Sequence, residues 1–271
     1  MRGLCGIPVR APTRVFDAHL HIIDPRFPLQ ENDGYSPPQF TVTDYRNRVA
    51  GLGFDGGGFV GGAVVSGSFQ GFDQSYLRAA LTALGPTFVG VTQIPAETTD
   101  EQIARLDADG VRAVRFNIRR GGSAGVADLD RLARRVYDIA GWHSEFYIDS
   151  RDLAPLHATL ATLPAISIDH LGLSAEGLPD LLGLVECGAY VKASGFGRVD
   201  LDPAEAMARI LDVNPGALVF GTDLPSTRAP RPFIDADLTT LGALIGPQHL
   251  DNVLWHNAVA LYRPAAGGVQ S

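Results

Sequence analysis

The sequence predicts an α/β protein in which eight β-α units close into a (β/α)8 TIM barrel. Three observations predict it. Short runs rich in Val, Ile and Phe recur at regular intervals, each followed by a longer stretch with helical periodicity, the signature of a parallel sheet with crossover helices. Each run is apolar through its middle and polar at its C-terminal end, as expected of strands buried on both faces whose ends open into a functional mouth. The length of 271 residues is close to the roughly 250 typical of one such barrel.

The predicted strands are residues 15–21, 58–65, 88–94, 113–118, 145–149, 165–170, 190–194 and 218–223. Helical periodicity covers 43–52, 74–84, 100–108, 128–140, 152–163, 178–186 and 202–211. Several helices open with an Asp or Thr able to accept from the free amides of the first turn, and Gly51, Gly85, Gly110 and Gly141 punctuate their other ends. Residues 23–40, rich in Pro and Asp, are too long and polar for an ordinary connection and read as a flap over the mouth. The glycines of 53–62 lead into a strand rather than a helix, which argues against a phosphate cradle. No repeat or low-complexity linker divides the chain, so the expected organisation is a flexible tail, 1–13, followed by a single barrel, 14–271.

Composition narrows the function. Hydrophobic residues make up 45% and charged residues 19%, ordinary for a globular protein, and the net charge of −8 argues against a nucleic acid partner. Any anionic ligand must then be met by local arginines. No signal peptide or bilayer-spanning run is evident, so the expectation is a cytoplasmic protein without membrane contact. The oligomeric state stays open, a homo-oligomer included. Cys5 and Cys187 read as free, inert thiols that supply neither a disulfide framework nor a cysteine metal site.

The strongest local motif is Asp17-Ala-His-Leu-His21, because a two-residue repeat on a strand points both imidazoles to one side. His19 and His21 suit metal ligation or polarisation of a substrate carbonyl, and an isolated pair of this kind can equally be a hydrogen-bonded core element. Far along the chain, Asp169-His170 ends the sixth strand and Gly221-Thr-Asp223 the eighth, which would gather these groups at one mouth. Asp223 is the leading candidate. Arg115, Arg119 and Arg120 cluster after strand four and Arg198 follows strand seven, offering guanidinium forks for carboxylates or else solvated surface pairs. His143 lies at the bottom of strand five, while His157, His249 and His256 fall in helical segments and read as packing or surface residues. Trp142 and Trp255 read as core aromatics.

Val15-Phe-Asp-Ala-His-Leu-His21, Ile168-Asp-His-Leu-Gly172, Gly221-Thr-Asp-Leu-Pro225 and Asn257-Ala-Val-Ala-Leu-Tyr262 resemble the amidohydrolase superfamily over nearly the whole chain after Thr13. Gly110-Val-Arg-Ala-Val-Arg-Phe-Asn117 and Gly141-Trp-His143 are similar to the branch containing 2-pyrone-4,6-dicarboxylate lactonase and sugar-lactone hydrolases. The resemblance implies an amidohydrolase-like barrel that hydrolyses a lactone, with Arg115 and Tyr147 on the substrate and Tyr35 reaching it from the flap. Metal-dependent members commonly carry a lysine or other bridging ligand after strand four and a histidine after strand five. Here Arg115 and Asn117, then Tyr147 and Asp149, stand in those places. The resemblance therefore favours a site without a metal cofactor. The alternative is one Zn2+ on His19, His21, His170 and Asp223, opposed by the adjacent guanidinium. The lactonase also has an arginine soon after its strand-six histidine, whereas this chain reads His170-Leu-Gly-Leu-Ser174, which implies one acid-binding contact fewer.

The expected reaction places a small carboxylated lactone on the arginines, with Asp223 taking a proton from water while the imidazoles stabilise the oxyanion. No nucleophile elbow accompanies Ser66, Ser68 or Ser194. The rival readings are a Zn-dependent decarboxylase of the same superfamily and a non-catalytic barrel that binds a carboxylated metabolite.

Overall fold

The structure, a computed structural model, describes residues 13–265. The eight strands are β1 (Val15–Leu20), β2 (Phe59–Val65), β3 (Phe88–Thr92), β4 (Val111–Asn117), β5 (His143–Tyr147), β6 (Ile166–Ile168), β7 (Tyr190–Ala193) and β8 (Leu218–Phe220). They pair in parallel in sequence order. The ring closes just beyond β8, where the amide of Asp223 donates to the carbonyl of His19 (2.7 Å) and that of His21 donates to Leu224 (2.8 Å). This is the predicted (β/α)8 barrel.

Between the strands lie α1 (Val42–Val49), α2 (Ser75–Leu84), α3 (Asp100–Ala108), α4 (Leu129–Ala140), α5 (His157–Leu160), α6 (Leu178–Glu186) and α7 (Pro203–Val213). Thr41 and Thr99 cap α1 and α3 through capping boxes, and Asp202 accepts from the Ala204 amide at the start of α7. The expected helix over 152–163 shrinks to α5, because Pro155 lacks the amide that a continuous helix needs. After β8 come α8 (Asp235–Ile245), α9 (Pro247–Asp251), a π-helical turn (Asn252–His256) and α10 (Asn257–Tyr262). Gly246, at φ 72°, and Pro247 break this region into pieces.

The apolar interior divides in two. One cluster fills the space between sheet and helices, and the other lines the barrel axis with Phe16, Ala18, Ala63, Val65, Val89 and Val91. Tyr262 of α10 plugs the lower end, stacked on Phe16 (5.3 Å) with its hydroxyl donating to the Ala18 carbonyl (3.0 Å). Trp142 is buried as expected, whereas Trp255 is half-buried under Arg14 at 4.4 Å. Thr13, assigned from sequence to a flexible tail, is buried and bridged to Phe54, while the rest of that tail, Cys5 included, lies outside the described residues. Cys187 caps the end of α6 and is exposed. Among the described residues no helix is long and apolar enough to cross a membrane.

Several predicted strands run past the ladder at their C-terminal ends. His21, His170, Asp149 and Asp223 lie beyond the strands, on the turns that leave them. In β1 itself, Val15 and Leu20 pack outward while Phe16 and Ala18 face the axis, so strict alternation would turn His19 outward. Between Asp17 and Leu20, however, β1 advances one residue more than its partner, pairing Asp17 with Gly62 and Leu20 with Val64. This bulge re-aims His19 into the barrel beside His21.

Gly221 at the end of β8 permits that approach, because a Cβ there would lie 2.8 Å from both N and Cβ of His19. Gly221→Ala is therefore expected to lower the unfolding free energy by about 1–3 kcal/mol, as overpacking does, in urea titrations. An unchanged midpoint would show that the β1–β8 seam has slack.

Candidate active site

His19, His21, His170 and Asp223 converge at the C-terminal mouth and all four are buried. Asp223 Oδ1 sits 3.8 Å from His19 Nε2, 3.7 Å from His21 Nε2 and 3.9 Å from His170 Nε2. His170 (φ 52°) and Asp223 (φ 60°) both hold left-handed backbone conformations, uncommon for non-glycine residues. Strain of this kind, about 1–3 kcal/mol per residue, tends to persist where the fold over-determines a functional position.

Hydrogen bonds set what each ring offers. His21 Nδ1 is 2.7 Å from the Val65 carbonyl, which only accepts, so neutral His21 carries its hydrogen there and turns the Nε2 lone pair to the cavity. His170 Nδ1 pairs with the Ser194 hydroxyl at 2.9 Å. His19 Nδ1 lies between Lys192 Nζ (3.2 Å) and Asp169 Oδ1 (3.3 Å). Burial lowers the pKa of His19 to about 4, against the pull of Asp169, and holds His170 well below its ordinary value, so both are neutral at pH 7. Burial would raise Asp223, but the Arg198 guanidinium outweighs it and keeps this carboxylate ionised. Two buried atoms aimed into the mouth, His19 Nε2 and Asp223 Oδ1, make no hydrogen bond.

Beneath this mouth is a charged layer in which Arg115 and Asp169 are legible from sequence and Lys192 and Glu145 are not. Lys192, fully buried in β7, donates to Glu145 Oε2 (2.6 Å) and lies 3.2 Å from Asp169 Oδ1. Arg115 donates to Asp169 Oδ2 (2.8 Å) and to the Ser66 carbonyl (2.5 Å). Glu145 also meets His143, at 3.2 Å, and the Tyr262 hydroxyl. Burial opposes ionisation of Glu145 and Asp169, yet Lys192 prevails in both and holds Glu145 at about 2. Asp17 faces outward, accepting from the amide and hydroxyl of Thr222 (2.8 and 2.7 Å) and from the Tyr45 hydroxyl (3.2 Å). The available signal was a lysine in the middle of Tyr190-Val-Lys-Ala193, a strand otherwise suited to double-sided burial.

The cavity over the four groups is lined by Arg115, Arg120, Tyr147, Arg198 and Arg228 among others, and its volume is about 40 Å3. That is room for a few waters. Arg198 narrows it by folding onto Asp223, its Nε donating to Oδ2 at 2.9 Å. Two expected substrate contacts lie outside this lining. Arg119 is 39% exposed and is held by Asp149 at 2.8 Å, because the turn after β4 directs it toward the end of β5. Tyr35 stands one layer further out, its ring 4.4 Å from the guanidinium of Arg228. The flap has the predicted bounds, since Ile23 and Phe40 exchange backbone hydrogen bonds at its base (2.7 and 2.9 Å). His143 is a packing residue at the start of β5, as expected.

His19, His21 and Asp223 offer donor atoms within 4.8 Å of one another, and with His170 beside them they fit one divalent cation by chemistry and number. The lone pair of His21 and the unpartnered atoms of His19 and Asp223 are what such an ion would satisfy. The guanidinium groups around them oppose it electrostatically.

The profile of the amidohydrolase family matches residues 16–263. The chain belongs to this family. Among amidohydrolase relatives, a 4-sulfomuconolactone hydrolase of Hydrogenophaga intermedia is 26% identical over 85% of this chain and 82% of its own. A 2-pyrone-4,6-dicarboxylate hydrolase of Comamonas testosteroni is 28% identical over 60% of this chain and 53% of its own. A solved apo structure from Agrobacterium tumefaciens superposes with a TM-score of 0.80 at 22% identity, covering 93% of this chain and 96% of that one, and shares the fold.

The buried His19 makes stability depend on pH. Its pKa falls from 6.5 to about 4, so its contribution is complete above pH 6.5 and is lost as pH falls through 4, about 3 kcal/mol in all. Asp17, raised to about 6, works in the opposite sense, so wild type must be compared with His19→Asn. The unfolding free energy of wild type is expected to fall more steeply from pH 6.5 to 4 than that of the variant. Parallel curves from denaturant titrations would contradict this.

Proposed function

We propose that this chain hydrolyses a small, acid-bearing lactone by adding water at the ring carbonyl. The observation that carries the reading is a pair of acceptors, His21 Nε2 and Asp223 Oδ1, facing each other across 3.7 Å inside an arginine-lined cavity. A water donating one hydrogen to each is held by both protons and turns its lone pair outward. The names of the lactone-opening relatives point to the same reaction class.

In this reading the acid group of the substrate draws Arg198 away from Asp223. The exchange widens the cavity and removes the cation that depresses the carboxylate, so Asp223 becomes a stronger base as the substrate seats. Asp223 takes one proton as the water oxygen bonds to the carbonyl carbon. With Lys192 donating to His19 Nδ1, His19 presents its Nε2 hydrogen to the oxyanion. Collapse of the tetrahedral intermediate breaks the ring C–O bond, and Asp223 returns its proton to the leaving oxygen, giving an open hydroxy or keto acid. A divalent cation on His19, His21 and Asp223 would supply Lewis-acid polarisation at the same place, and it would require the other His19 tautomer, with Nδ1 donating to Asp169.

The test is turnover of lactones of dicarboxylic, sulfonated and sugar acids by chelator-treated protein. Hydrolysis is expected without added metal, and Asp223→Asn should lower kcat by about 10²–10⁴-fold with the fold intact. Undiminished turnover in that variant would remove the base. Activity restored only by stoichiometric zinc would assign the role to the cation.

A further inference from the structure

The cavity holds more positive charge than its own carboxylates neutralise. Arg115 is matched by Asp169 and Arg198 by Asp223. Arg120 makes no side-chain hydrogen bond or ion pair among the described residues. Arg228 has only Asp33, at 3.9 Å, a carboxylate 73% exposed to water and therefore largely screened. Two cationic groups at the rim are thus uncompensated, in a chain whose net charge is −8.

Arg228 is also held for use. Its side chain is 14% exposed, and its Nε is buried without a partner. The guanidinium lies over the ring of Tyr35, and one Nη donates to the carbonyl of Asn32. Asn32 and Tyr35 are the paired ends of a tight turn whose central residues, Asp33 and Gly34, both have positive φ (50° and 69°), as a type I′ turn requires. Asn32 further accepts from Ser68 (2.9 Å) and donates to the carbonyl of Arg120 (3.2 Å), so the flap tip fixes both rim arginines against one frame. Arg198 donates to the carbonyl of Thr227 (3.1 Å), which sets the loop carrying Arg228 beside the inner arginine.

We propose that Arg228, backed by Tyr35 and paired with Arg120, is a specificity-determining residue that binds a second acid group of the substrate at the rim while Arg198 takes the first. The inference rests on the lactone reading of the cavity and assigns it diacid lactones, carboxylate or sulfonate at the outer position. Planar guanidinium forks suit both oxyanions.

Calorimetry on the full chain with isophthalate and benzoate, two planar acids that cannot be hydrolysed, tests it apart from turnover. Wild type is expected to prefer isophthalate, and Arg228→Gln to reduce the isophthalate-to-benzoate affinity ratio roughly 10- to 100-fold. Arg228→Lys, which keeps the charge but loses the fork, should restore part of the ratio. An unchanged ratio in Arg228→Gln overturns the proposal, even if lactones are hydrolysed. A collapsed ratio in protein that hydrolyses no lactone upholds the subsite and removes only the lactone reading.

Discussion

Two backbone hydrogen bonds at the seam of the barrel organise everything above it. The Asp223 amide reaches the His19 carbonyl and the His21 amide reaches Leu224, so the step that closes the sheet also sets the carboxylate against the His-x-His pair. These residues are about 200 positions apart in sequence, and ring closure brings them together without a dedicated loop. Gly221 and the β1 bulge are local adjustments to the same constraint.

The charged layer under the mouth explains how such a site stays rigid. Lys192, Glu145, Asp169 and Arg115 are buried together, and each charge is tolerated because another touches it. Breaking a network of this kind by removing one member leaves an uncompensated ion, at a cost of about 3–5 kcal/mol. The network also gives His19 two competing partners, an ammonium that leaves hydrogen on Nε2 and a carboxylate that leaves it bare. The ring can therefore serve as a donor or as a ligand without any change in the backbone.

The barrel was legible in the sequence because each unit repeats the same switch from apolar strand to amphipathic helix. Convergence of His19, His21, His170 and Asp223 was legible for the same reason, since strand ends meet at one mouth. The boundaries were less so. His170 and Asp223 read as strand residues because polar ends look continuous with the runs before them, while their left-handed φ values are fixed by the turns. The inward aim of His19 followed from alternation only by coincidence, as a bulge supplies it. Glu145 and Lys192 are not legible because their pairing is a tertiary property, invisible until β5 and β7 are set on either side of β6. Arg119 read like Arg120 in sequence, and only the turn after β4 separates the one held by Asp149 from the one that lines the cavity.

The contact between Arg198 and Asp223 has a consequence for discrimination. An anion arriving at the mouth can replace Asp223 as the counterion of this guanidinium, so Arg198 keeps an ionic partner while Asp223 is released as a base. A neutral ester of identical outline offers no such replacement and would have to separate a buried pair unaided, against several kcal/mol. Entry of an uncharged lactone would then be disfavoured by charge before shape is consulted.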